Sequence, residues 1–124
     1  MVTSLKPYLT VHSIILLCLL AYPLQEAVSE EKLFVVHFST GSAWDTTRSP
    51  SEQTSFAEHS ANLGRLRSEG IILFGGRYDE FGIIILRAAT LESARETIES
   101  DPGIKSDLFT FTISPISVFY KWKE

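Results

Sequence analysis

The chain reads as an α+β domain with the element order βαββαβ. Two β-branched and aromatic runs of strand length carry this reading, KLFVVHFST from Lys32 and FTFTI from Phe109. Between them lie two stretches with apolar residues at helical spacing and a pair of short apolar runs joined by turn residues.

In Lys32 to Thr40, alternation puts Phe34, Val36 and Phe38 on one face and Leu33, Val35, His37 and Ser39 on the other. The linker Gly41 to Arg48 carries Trp44 and Asp45. Ser49-Pro50-Ser51-Glu52 then has the chemistry of a helix start: Ser49 as N-cap, Pro50 in the first helical position and Glu52 closing a capping box. The spacing predicts a helix from Glu52 to Glu69, stopped by Gly70.

Ile71 to Phe74 reads as a short strand ending in Gly75-Gly76, Tyr78 to Gly82 as a turn, and Ile83 to Leu86 as the return strand of a hairpin. Thr90 caps a second helix with Leu91, Ala94 and Ile98 as its buried stripe. Asp101-Pro102-Gly103 ends it, because the residue before a proline is pushed out of the helical region. In the last strand Phe109, Phe111 and Ile113 alternate with Thr110 and Thr112, and Pro115 makes the segment after it an edge, a bulge or an arm.

In one small domain this order gives a four-stranded antiparallel sheet with two helices on one face, the ferredoxin-like arrangement. Helices cover only one face of such a sheet, yet the strands are apolar on both. A homodimer packed sheet to sheet is the simplest cover for the other face, with the tail Ile116 to Trp122 placed to reach across it.

The first 29 residues differ from the rest. Lys6 precedes an apolar run, Ile14 to Tyr22, that is too short to span a bilayer. Ala27-Val28-Ser29 supplies small residues for a cleavage site before Glu30. This is the layout of a secretory signal peptide, with an uncleaved anchor as the alternative. Leu17 before Cys18 disfavours a lipoprotein signal, and no twin-arginine pair precedes the run. The expected mature domain, residues 30–124, is then secreted or periplasmic, with no membrane attachment after cleavage.

Cys18 is the only cysteine and would leave with the leader, so the mature domain has neither a disulfide nor a thiolate site. A net charge of −4 without a basic stripe disfavours nucleic acid and anionic membranes as partners. There is no phosphate loop, dinucleotide fingerprint or nucleophile elbow, and the separated histidines make a weak metal signal. Neither a cofactor nor a metal is expected.

His59 stands out chemically. It lies three residues after Phe56 and four before Leu63, on the face of the first helix that should meet the core. Burying an imidazole there costs free energy unless a partner satisfies it, and histidine is the side chain that most readily moves a proton near neutral pH. A core histidine bonded to a backbone carbonyl is the plain structural reading.

Three stretches, FAEHSANL from Phe56, LRSEGIILFGG from Leu66 and SDPGI from Ser100, resemble in order and spacing the YciI-like, or YCII-related, domain family. The resemblance spans Leu33 to Phe119. It implies a ferredoxin-like fold forming a dimeric α+β barrel, with an active site near the dimer interface around a helix histidine and an aspartate. The matching positions are His59 and Asp101. A few members are associated with small aromatic degradation intermediates, where related barrels carry out isomerisation or elimination. The chain departs from the family in carrying a leader, and in having Gly76-Arg77 where many members have Gly-Pro.

As a general acid or base, His59 needs a carboxylate on its other ring nitrogen. Asp101 is the family-matched one, and Glu69 or Asp79 are substitutes; as a turn residue, Asp101 can equally cap the segment after it. Arg77, next to Gly75 and Gly76, is placed to hold an anionic substrate or simply to be solvated at a strand end. Trp44 is a lid residue or a loop anchor. His37 lines the dimer barrel or packs there. The expected function is cofactor-independent proton transfer, of isomerase or lyase type, on a small anionic or aromatic compound. The alternatives are a non-catalytic ligand-binding or accessory module and an interaction protein that uses its sheet face.

Overall fold

In the computed structural model, residues 30–121 and 123 are described; residues 1–29, where the signal peptide is expected, and Trp122 and Glu124 lie outside them. Strand β1 (Lys32–Thr40) is followed by a 3₁₀ turn (Pro50–Glu52), helix α1 (Phe56–Ser68), strands β2 (Ile72–Tyr78) and β3 (Phe81–Ala88), helix α2 (Leu91–Glu99), a short helix α3 (Pro102–Lys105) and strand β4 (Phe109–Pro115). The sheet order is β2-β3-β1-β4, with every neighbouring pair antiparallel. This is the expected ferredoxin-like βαββαβ topology, an α+β fold. No described helix is long and apolar enough to cross a membrane.

The helix-facing side of the sheet makes the core. Phe34, Val36 and Phe38 are buried there as the alternation requires, joined by Ile84, Leu86 and Ile113 from neighbouring strands. Leu66 of α1 and Ala94 and Ile98 of α2 close over them. A buried side chain of this size contributes roughly 2 kcal/mol by leaving water, so the two helices are held by their inward stripes. On the other face, Leu33, Val35, His37, Ile83 and Ile85 are only half-buried, and Phe74 and Tyr78 are 53% and 48% exposed.

Four features differ from the sequence reading, each for a local reason. The capping chemistry at Ser49 is present: the Glu52 carboxylate accepts the Ser49 amide at 3.0 Å and hydroxyl at 2.7 Å. It closes only the 3₁₀ turn, because Ser55 takes a left-handed conformation, φ 69°, and α1 starts anew at Phe56. Second, Gly75 and Gly76 do not end β2 but pair with Ile84 and Ile83, so the hairpin runs on to Tyr78 and Phe81 and turns only at Asp79-Glu80. Third, Leu91 is 40% exposed, leaving Ala94 and Ile98 as the stripe of α2. Fourth, Asp101-Pro102-Gly103 ends α2 but also starts α3, with proline in its first turn.

The stop at Gly70 is a Schellman motif. At φ 74° the Gly70 amide donates to the Arg67 carbonyl and the Ile71 amide to the Leu66 carbonyl. Beyond β4, the Ile116 amide still donates to the Leu33 carbonyl at 3.0 Å. Phe119 and Tyr120 are then 89% and 94% exposed.

Candidate functional site

His59 and Asp101 meet across 42 residues of sequence. His59 sits on the inward face of α1, 7% exposed, and Asp101 is the N-cap of α3, 1% exposed. His59 Nδ1 is 2.6 Å from Asp101 Oδ1. The same carboxylate oxygen accepts the Gly103 amide at 2.8 Å, and its other oxygen accepts Asn62 Nδ2 at 2.7 Å. Asp101 is thus both the cap that turn chemistry anticipates and the partner of the buried histidine.

Burial works against the charged carboxylate. The hydrogen bonds from His59 and Asn62, the charge of a protonated His59 and the Gly103 amide together outweigh it, holding Asp101 below the usual carboxylate range. An ionised Asp101 requires a proton on His59 Nδ1. In the neutral ring that leaves a lone pair on Nε2, which makes no hydrogen bond among the described residues. The plain reading of His59 as a core residue bonded to a backbone carbonyl is therefore replaced by a carboxylate-bound one.

The imidazole is walled by aromatic rings. Phe109 lies 4.7 Å from its centroid, Phe38 packs edge-on at 5.7 Å and Phe56 at 6.3 Å. Trp44 lies against Phe109 in a tilted arrangement, with ring centroids 5.6 Å apart. His59 borders a cavity of about 610 Å³ between α1, the first loop and the β2–β3 hairpin, which Trp44, Gly75, Gly76 and Arg77 also line. Of the residues singled out in the sequence, His59, Trp44, Gly75, Gly76 and Arg77 thus share one cavity, and Asp101 stands behind His59.

Arg77 is exposed, and its Nε donates to the Asp79 carbonyl at 3.3 Å. None of the carboxylates among the described residues forms an ion pair with it. Glu69 and Asp79 are not partners of His59: Glu69 pairs with Arg65 on the surface of α1, and Asp79 sits at the hairpin tip at φ 48°. His37 lies on the opposite face of the sheet, 4.8 Å from Phe81 and 6.0 Å from Tyr78. No group of three or more His, Cys, Asp or Glu side chains among the described residues is placed to hold a metal ion.

Sequence reasoning missed two residues. Asn62, which braces Asp101, is three residues beyond His59 on the same helical face, and that spacing was the available signal. Gln53 is buried at 5% exposure and straps the first loop: its Oε1 accepts the Asp45 amide, and its Nε2 donates to the Asp45 and Arg48 carbonyls. No local pattern marks that role.

No family model matches the chain, and no curated protein matches it. Among solved structures, the chain is similar to a 5-chloro-2-hydroxyhydroquinone dehydrochlorinase from Burkholderia phenoliruptrix in complex with 2,5-dihydroxybenzoquinone. The match is 21% identical, covers 73% of this chain and 93% of that one, and has a TM-score of 0.46.

Proposed function

We propose that this chain is a YciI-like domain in which His59, oriented by Asp101, is the general acid and base of a cofactor-independent proton transfer. The observation that carries the reading is the 2.6 Å contact from Nδ1 to a buried carboxylate in a ring that borders a cavity. Such an arrangement fixes the tautomer and leaves the lone pair of the opposite nitrogen free to take a proton, as a base needs.

The lining supports a substrate class. Trp44, Phe56 and Phe109 offer flat apolar walls, Gly75 and Gly76 expose backbone, and Arg77 lies at the border with no acid among the described residues paired to it. A small planar compound with an anionic or phenolic oxygen fits these contacts, and abstraction of a carbon-bound proton there leads to isomerisation or to elimination of a leaving group. We further propose that the domain is exported by its leader and acts as a homodimer through the open sheet face.

The test is proton exchange. Hydroxylated aromatic and unsaturated small carboxylates are incubated with the protein in D2O and followed by NMR. Protein-dependent deuterium incorporation, lost in His59→Ala, is the expected result. Saturable binding without exchange would overturn the catalytic role and favour the ligand-binding module.

A further inference from the structure

The Asn62 side chain is held at both ends. Its Nδ2 donates to Asp101 Oδ2 at 2.7 Å, and its Oδ1 accepts from Arg65 Nη2 at 2.9 Å. Arg65 is fixed in turn, donating from Nη1 to both Glu69 oxygens at 2.8 and 3.0 Å. The two ends decide which way the amide faces. Turned over, its carbonyl would oppose the carboxylate and its NH2 group would oppose the guanidinium. Asn62 is not among the residues lining the cavity, so it has no route to a bound molecule except through Asp101.

We propose that Asn62 is a positioning residue: anchored by Arg65, it clamps Oδ2 of Asp101 so that Oδ1 stays on His59 Nδ1 and Nε2 stays available. The proposal rests on the reading of His59 as the acid and base. It adds that the dyad is the inner end of a relay, Glu69–Arg65–Asn62–Asp101–His59, whose outer end is at the surface of α1.

Asp101 is contacted by His59 and Asn62 from α1 and by the Gly103 amide from α3. Arg65 and Glu69 are the charged groups beyond Asn62. Removing the Asn62 donor weakens the ionised carboxylate. It also removes the contact on Oδ2, leaving the carboxylate held through Oδ1 alone by the Gly103 amide and His59.

The test monitors the Asp101 carboxyl by ¹³C NMR and the His59 ring nitrogens by ¹⁵N NMR in the full chain, in Asn62→Leu and in Arg65→Met. In Asn62→Leu, Asp101 is expected to titrate about one pH unit higher, and the His59 ring to populate both tautomers. Arg65→Met removes a half-exposed side chain from the helix surface and should move both signals in the same direction by less. It therefore decides the matter if the leucine variant does not fold.

Unmoved Asp101 and His59 signals in the folded variants would overturn the proposal. Moved signals in a protein that exchanges no substrate proton would leave the clamp standing and remove the catalytic reading. Exchange with unmoved signals would do the reverse.

Discussion

Gly103 leaves the room that His59 occupies: a β-carbon at position 103 would lie 2.9 Å from His59 Nδ1 and 3.0 Å from its Cβ. It would also lie 3.0 Å from Asp101 Oδ1. Gly103→Ala therefore pushes on both members of the pair. Alanine gains helix propensity in α3, a benefit below about 1 kcal/mol, against about 1–3 kcal/mol for overpacking a buried site. A net loss of stability in chemical denaturation, with a displaced His59 ring signal, is expected.

Acid should expose the Asp101 contribution. Its folded value is held below the ordinary 3.8, so the ionised group stabilises the fold fully above that value. The contribution is lost as pH falls through the lower folded value. The stability difference between wild type and Asp101→Asn, from urea unfolding at several acidic pH values, should shrink as pH falls below about pH 4. A difference that grows toward acid would contradict the assignment.

The Gln53 strap predicts a loop phenotype. Gln53→Leu removes one acceptor and two donor contacts between the 3₁₀ turn and the backbone at Asp45 and Arg48. A loss of about 1–3 kcal/mol is expected. The chain has two tryptophans, so a Trp122→Phe background isolates Trp44. Its emission should shift to the red as the indole leaves Phe109.

Much of the fold was legible in the sequence because local chemistry and burial agree. Phe34, Val36 and Phe38 alternate inward, and Thr90 accepts the Ser93 amide as the cap of α2. The failures arise where tertiary contacts override local signals. Ser49 and Pro50 look like the start of a long helix, but the Gln53 contacts accompany a break at Ser55. Gly75-Gly76 looks like a turn, but the register with Ile83 and Ile84 keeps it in the sheet. In the site, His59 was visible as a polar residue on an apolar stripe. Asn62 shares that helical face three residues on, but a polar residue beside an exposed helix flank carries no pattern that names its partner Asp101.

The open sheet face gives a prediction about assembly. Val35 pairs with Ile85 on that face, next to Ile83 and the exposed Phe74 and Tyr78. Light scattering behind size exclusion should give a two-chain mass for the wild type and a one-chain mass for Ile85→Glu, which sets a charge on the face without touching the helix-side core. A one-chain wild type would sink the dimer.

The most decisive experiment is the ¹⁵N spectrum of the neutral His59 ring, compared between wild type and Asp101→Asn. The wild-type ring should be protonated at Nδ1 with Nε2 bare, and the tautomers should mix or reverse once the carboxylate is gone. A wild-type ring protonated at Nε2, or a spectrum identical in both proteins, would contradict the carboxylate-oriented base.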